Sequence, residues 1–299
     1  MNRNTDAILP MRCNVLGIGA WGPGFSHWHE LRTHLAQEKE RPEQAASEIK
    51  NASPKPEIIP TNERRRAPLP VKMAVEVSSQ ALNMSGLDAT NVACVFGSGL
   101  GDTEITDYMC RAVNVAAPQL SPTKFHNSVH NAAAGYWTIS THCMKSANSI
   151  AAYHDTAGLC LLEGMSLCLT DGAPVLITIF DSAAHRAYQE IFDCNDNFAA
   201  AILIAPESLI SNKAPLATLS MHTSGASHAP PKLINRVLNK LYETNPAAKI
   251  LLLLEQLANL ESNKLTTTDT FVLQISASSN LACTLSMDNH HGASHAKKN

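Results

Sequence analysis

Apolar positions along the chain fall into two spacings, one of strands and one of helices, that alternate from end to end. Cys13–Gly19 is a short apolar run ending in glycines and predicts a strand, and Ser26–Gln37 has helical character. Residues 38–70 turn polar, charged and proline-rich, which predicts a long excursion over the surface. Val71–Leu87 carries apolar residues at helical spacing. The apolar Val92–Phe96 predicts a buried strand running into the glycine-rich turn Gly97–Gly101. Helices are predicted at Asp102–Val113 and near Asn127–Trp137, the second entered through an extended stretch that starts at Leu120.

Thr156–Leu169 is small and apolar along most of its length, as a deeply buried helix would be. Asp171-Gly172 stops it, and Pro174–Phe180 is an apolar strand ending at Asp181. Strands at Ala199–Ile204 and Ala217–His222 precede two helical stretches, Lys232–Tyr242 and Ala247–Leu260, split by Asn245-Pro246. Alternating segments at Thr270–Ala277 and Ala282–Met287 predict a hairpin around Ser278–Asn280, and the polar tail 289–299 predicts disorder. Strands alternating with helices make the fold class α/β.

Composition narrows the function. With 44% hydrophobic and 16% charged residues, the 299-residue chain has material for a sizeable core. A formal net charge of −3 excludes the overall basic field of a nucleic-acid binder. The eight cysteines include no CxxC pair, and most lie inside apolar runs such as Leu159-Cys160-Leu161. They read as reduced, buried thiols of a cytoplasmic protein, and no Cys/His cluster has the spacing of a zinc site. The N-terminus lacks the apolar run of a signal peptide, and the longest apolar stretches, 199–205 and 250–254, are too short for a membrane span. No metal and no cofactor is expected.

Several motifs invite chemistry. Gly17-Ile-Gly19-Ala-Trp-Gly22 matches GxGxxG after a strand, but no second strand ending in an acid follows, and Pro23-Gly24 interrupts the helix start. A tight turn is the simpler reading. Gly97-Ser-Gly-Leu-Gly101 is neither a P-loop nor a hydrolase elbow, so backbone crowding explains it better. His126, His130, His142 and His154 fall in one stretch with Cys143, and a Cys–His pair is conceivable there, although no third partner has convincing spacing.

Taken together, several segments resemble the N-terminal half of the thiolase-like β-ketoacyl synthases. They are Val15-Leu-Gly-Ile-Gly-Ala-Trp-Gly-Pro-Gly24, Arg64-Arg-Arg66, Val95-Phe-Gly-Ser-Gly-Leu-Gly101 and, most specifically, the run from Ser121 to Ile139. The last is similar to ketosynthase-like proteins of aryl polyene pathways that act as chain-length-factor partners of a true ketosynthase. The resemblance implies a ketosynthase-type αβα domain over residues 12–222, a divergent helical and hairpin extension over 223–288, and a disordered tail.

In active members of that family a cysteine opens the buried central helix, where the helix dipole favours the thiolate. Two registers compete for that position. Ser140-Thr-His-Cys143 copies the family string superficially, which makes Cys143 a fallback nucleophile. The interval to the next core strand fits His154 instead, with Tyr153 beside it and Asp155-Thr156 leading into the helix. In that register no catalytic residue is expected, because an acyl-imidazole is too labile to hold a growing chain. The family's two C-terminal histidine motifs are also missing, and the residues after 222 are too few for a second half.

The resemblance therefore implies a subunit that is not catalytic by itself, a heterodimer with a β-ketoacyl synthase, and an acyl carrier protein as a further partner. Phe125, Tyr136, Trp137 and Tyr153 are the candidate walls of the acyl tunnel, against a plain packing role for each. The alternatives are a stand-alone acyltransferase or thioesterase using Cys143 or the Tyr153/His154/Asp155 group, and a small-molecule binder through Gly17–Gly22.

Overall fold

The chain is described from a computed structural model at residues 10–36, 53–115, 119–209, 213–225, 233, 235–262, 265–276 and 278–287. Its strands are β1 (Met11–Trp21), β2 (Ala93–Gly97), β3 (Ala147–Ile150), β4 (Val175–Asp181), β5 (Phe198–Ala205), β6 (Ala217–Gly225), β7 (Phe271–Ser276) and β8 (Ser279–Ser286). Its helices are α1 (Trp28–Ala36), α2 (Thr61–Arg66), α3 (Leu69–Ser85), α4 (Thr103–Val113), α5 (Pro122–His126), α6 (Ala132–Thr141), α7 (Thr156–Asp171), α8 (Arg236–Thr244) and α9 (Leu251–Ser262). The eight strands form one sheet in the order β3-β2-β4-β5-β1-β6-β8-β7. β2 pairs in parallel with β3 and β4, and every later pairing across the sheet is antiparallel.

β4 and β5 are buried at every position, the mark of strands covered on both faces. Their residues alternate between two cores, as a period of two requires. Leu176, Phe180, Ala201 and Leu203 pack with α3 and α6 on one face, and Ile177, Ile179, Ile202 and Ile204 pack with α7 and α9 on the other. The layers are therefore helix, sheet, helix, which bears out the α/β class.

Three features differ from the sequence reading. β1 continues through the glycines to Trp21 instead of turning at them, because α3 lies directly on the strand. A β-carbon on Gly17 would stand 2.0 Å from the Ala81 carbonyl oxygen, and one on Gly19 2.0 Å from that of Val77. The GxG glycines thus make room for a helix backbone and are not a turn. The helix expected near Asn127–Trp137 begins at Ala132, after the short α5 and a turn. The edge strand β3 was not expected at all, since Ala-Asn-Ser-Ile has no strand pattern and is held by pairing with β2. Residues 38–52 of the surface excursion and the tail 289–299 lie outside the described residues.

The C-terminal elements complete the enclosure of α7. The 222/223 boundary falls inside β6, and β8 and β7 extend the same sheet beyond it. The sheet curls so that β7, at the opposite end of the strand order from β3, also meets α7. Gly158 permits this approach, since a β-carbon there would stand 2.2 Å from the Gln274 carbonyl oxygen.

Candidate functional site

Parallel strands in α/β sheets present their carboxyl ends to a crevice where ligands bind. Here β2 and β4 end side by side, at Gly97 and Asp181. Ser98 donates its hydroxyl to Asp181 Oδ1 at 2.7 Å, Leu100 N–H donates to the same oxygen at 2.9 Å, and Gly99 N–H donates to Oδ2 at 3.1 Å. Ser98 Oγ in turn accepts the Gly101 N–H at 2.8 Å. Asp181 is fully buried, which pushes its carboxyl up to about 6 while these bonds pull it down.

Against this loop sits the head of α7, a 3₁₀ turn of Tyr153–Asp155. Tyr153 holds a left-handed backbone with φ 48°, rare for an aromatic residue and a form of strain that collects at functional sites. Gly97 packs on Cys160 and Thr156, and Gly99 on Tyr153 and Pro246, so the loop and the helix start meet backbone to backbone. The Tyr153 ring is 40% exposed and lies 3.9 Å from the His154 ring and 5.8 Å from Phe192, centroid to centroid. His154 Nδ1 and Asp155 Oδ1 are buried with no hydrogen-bond partner among the described residues. Burial, and then the Lys249 ammonium, hold the imidazole below its ordinary pKa, and burial raises the Asp155 carboxyl.

The head of the helix therefore presents a phenol, an imidazole and a carboxyl, and no thiol. Cys143 follows α6 and is buried, with its sulfur donating to the Val92 carbonyl at 3.3 Å. Cys160 is buried inside α7, where desolvation pushes its thiol well above the ordinary range. The structure thus brings Tyr153, His154, Asp155 and Thr156 together and leaves Cys143 in the layer between α6 and β2.

The aromatic candidates for a tunnel separate. Phe125 is 60% exposed on α5, and Tyr136 is half-buried on α6. Trp137 is fully buried in the core beneath α3, because its face of α6 points at the sheet, so its ring packs among core side chains. Two grooves open beside α4. One of about 380 Å³ is lined by Pro68, Val71, Ile105, Met109 and Val129, and one of about 610 Å³ by Arg66, Leu69, Glu104, Lys124 and His185. None of Phe125, Tyr136, Trp137 and Tyr153 lines either groove.

Ser98 and Asp181 escaped the sequence reading. An acid closing an apolar strand, next to a glycine turn closing another, was the available signal. The second missed feature is β3 itself, which ends the strand order among the described residues, with Ile139 and Met144 before it in the chain 74% and 94% exposed. Among the described residues no group of three potential ligands could hold a metal ion, and no helix is long and apolar enough to cross a membrane.

Comparison with known proteins adds a frame to this geometry. The family model of the β-ketoacyl synthase N-terminal domain matches residues 36–256. No curated protein matches the sequence. Among solved structures, a ketosynthase (ApeO) in complex with its chain length factor (ApeC) from Xenorhabdus doucetiae matches with TM-score 0.65 and 18% identity, over 91% of this chain and 98% of that one. The ishigamide ketosynthase/chain length factor matches with TM-score 0.66 and 14% identity, over 93% and 99%. AntDE:AntF, a type II polyketide synthase acyl-carrier protein in complex with its ketosynthase, matches with TM-score 0.69 and 10% identity, over 93% and 99%. At these identities the likeness is one of fold.

Proposed function

The chain belongs to the β-ketoacyl synthase N-terminal-domain family, and from that premise we propose that it is a chain-length-factor-like subunit. In this reading it carries out no condensation itself. It pairs with an active β-ketoacyl synthase and shapes the tunnel in which the partner's acyl chain grows, in polyketide, aryl-polyene or fatty-acid-type biosynthesis.

One observation carries the reading: the head of the buried central helix holds Tyr153, His154 and Asp155 and no thiol, and this reading takes that head as the position at which a condensing enzyme carries its thiolate. A phenol with a raised pKa and a desolvated imidazole are poor carriers of an acyl chain, because the first is a weak nucleophile and the second forms a labile acyl derivative. Two further facts support pairing. Among the described residues β3 has a strand partner on one side only, and Ile139 and Met144 before it in the chain are exposed, the kind of edge that a folded protein covers. Two of the structures similar in fold are described as pairs of a ketosynthase and a chain length factor.

Co-expression with a ketosynthase encoded beside it, followed by size-exclusion chromatography with light scattering, tests the pairing. A one-to-one complex is the expected result, and a stable monomer in the presence of that ketosynthase would overturn it. Intact mass after incubation with an acyl thioester tests the silence. An acyl adduct lost in Cys143→Ala would replace this reading with that of a cysteine acyltransferase.

A further inference from the structure

We infer that Asp181 is a positioning residue for Tyr153: it holds the Gly97–Gly101 loop as a backstop against the left-handed backbone of Tyr153 and so fixes where that ring stands. The consequence for the partner's tunnel rests on the function proposed above, whereas the positioning itself does not.

Asp181 grips the backstop from two sides. Its carboxylate accepts from Ser98 Oγ, Gly99 N–H and Leu100 N–H, which organises a loop whose glycines offer no side chains for packing. Its backbone carbonyl accepts from Asn245 Nδ2 at 3.2 Å. Asn245 is itself fully buried, and its Oδ1 accepts from Ala247 N–H at 2.9 Å and Ala248 N–H at 3.3 Å, which caps the 3₁₀ turn Pro246–Ile250. Pro246 leads that turn and presses on Gly99, since a β-carbon on Gly99 would stand 2.7 Å from Pro246 Cβ and 2.8 Å from the Tyr153 carbonyl oxygen. Gly99 is therefore wedged between the capped turn and Tyr153, with Asp181 tied to the loop and to the cap. A non-glycine residue keeps a left-handed backbone only where its surroundings leave it no alternative, and this wedge supplies that constraint.

Hydrogen exchange of the full chain, read by mass spectrometry, tests the inference. Asp181→Asn is compared with Thr178→Val, which breaks the buried Ser78 Oγ···Thr178 Oγ1 bond of 2.7 Å on the same strand without touching the loop. Asp181→Asn should speed exchange of the 97–101 amides and of the peptide spanning 151–157 by ~tenfold or more, as expected for losing charge-assisted bonds. Thr178→Val should leave that peptide at the wild-type rate. An unchanged 151–157 peptide in Asp181→Asn overturns the inference, and so does equal acceleration in Thr178→Val. Should Asp181→Asn fail to fold, Ser98→Ala removes a single donor and should give a smaller acceleration of the same peptide, whereas none overturns the inference. In the co-expressed complex, Asp181→Asn and Tyr153→Ala should shift product chain length in the same direction. If Tyr153→Ala leaves the products unchanged, the tunnel reading fails while the exchange result still decides the positioning.

Discussion

Gly99 lies so close to Tyr153 that a β-carbon on the glycine would stand 2.8 Å from the tyrosine's carbonyl oxygen. Both obstacles to that β-carbon are rigid, one being backbone and the other the Pro246 ring, so neither yields cheaply. Gly99→Ala is expected to cost about 1–3 kcal/mol in denaturant unfolding. It should also raise hydrogen exchange across 151–157. A variant as stable as the wild type, with exchange across 151–157 unchanged, would show that Gly99 does not constrain Tyr153.

Asp181 gives stability a pH signature. Burial lifts its carboxyl to about 6, with the bonds from Ser98, Leu100 and Gly99 opposing, whereas the unfolded chain has an ordinary carboxyl at about 3.9. Between those values the native state holds a proton that the unfolded state has released. The contribution is full below the unfolded value and is lost as pH rises through 6, at about 1.4 kcal/mol per pH unit. The titratable groups facing it, Tyr153, Cys160 and Cys194, are all pushed upward and stay protonated in that window. Urea unfolding of wild type and Asp181→Asn from pH 5 to 8 should show a difference that changes up to pH 6 and then levels. A difference independent of pH contradicts the assignment.

Gly17 and Gly19 should tolerate nothing larger. In each case the added β-carbon meets a helix carbonyl at 2.0 Å, so Gly17→Ala or Gly19→Ala should cost about 3 kcal/mol or more, or leave the protein insoluble. Gly135, inside α6 with nothing within 4 Å of an added β-carbon, is the opposite case. Gly135→Ala should stabilise by about 0.5–1 kcal/mol through helix propensity. Thermal melts of the three variants decide both statements.

Two aromatics on successive helices should respond differently to truncation. Trp137 is fully buried, so Trp137→Ala should cost about 3–5 kcal/mol. Phe125 is 60% exposed, and Phe125→Ala should change stability by no more than about 0.5 kcal/mol. Chemical denaturation separates them, and a mild Trp137→Ala would return that ring to the list of tunnel candidates.

The edge of β3 offers a test that spares the monomer. Cys94 N–H donates to Ser146 O and Ser98 N–H to Ile150 O, so by alternation the N–H groups of Ala147 and Ser149 face away from the sheet. Proline is accepted on an edge strand where its missing donor faces outward. Ala147→Pro should leave the melting temperature nearly unchanged and weaken ketosynthase pairing at least ~tenfold, the loss of one to two net hydrogen bonds. Unaltered pairing would place the interface elsewhere.

The elements that the sequence made legible share a cause. β2, β4 and β5 are nearly all apolar because both of their faces are buried, and α7 is small and apolar along the face it buries, so their composition alone marks them. The head of α7 was legible for the same reason: Tyr153-His-Asp155 is where polar residues meet that apolar run. β3 left no trace, since an edge strand of Ala-Asn-Ser-Ile owes its form to its neighbour. The burial of Trp137 was not legible, because an aromatic beside a candidate site looks the same in sequence whether it faces a tunnel or the sheet.

What the sequence determined by itself is the alternation of buried strands and helices, and the absence of a thiol where the central helix starts, since hydrophobic periodicity and residue identity are properties of the chain. What only the tertiary structure decided is contact between segments far apart along it. That Gly17 and Gly19 admit α3, that Asp181 ties the ends of β2 and β4 to Asn245, and that the last strands close over α7 all depend on which backbones approach one another. Local pattern carries no information about such approaches, because they are set by packing across the sheet.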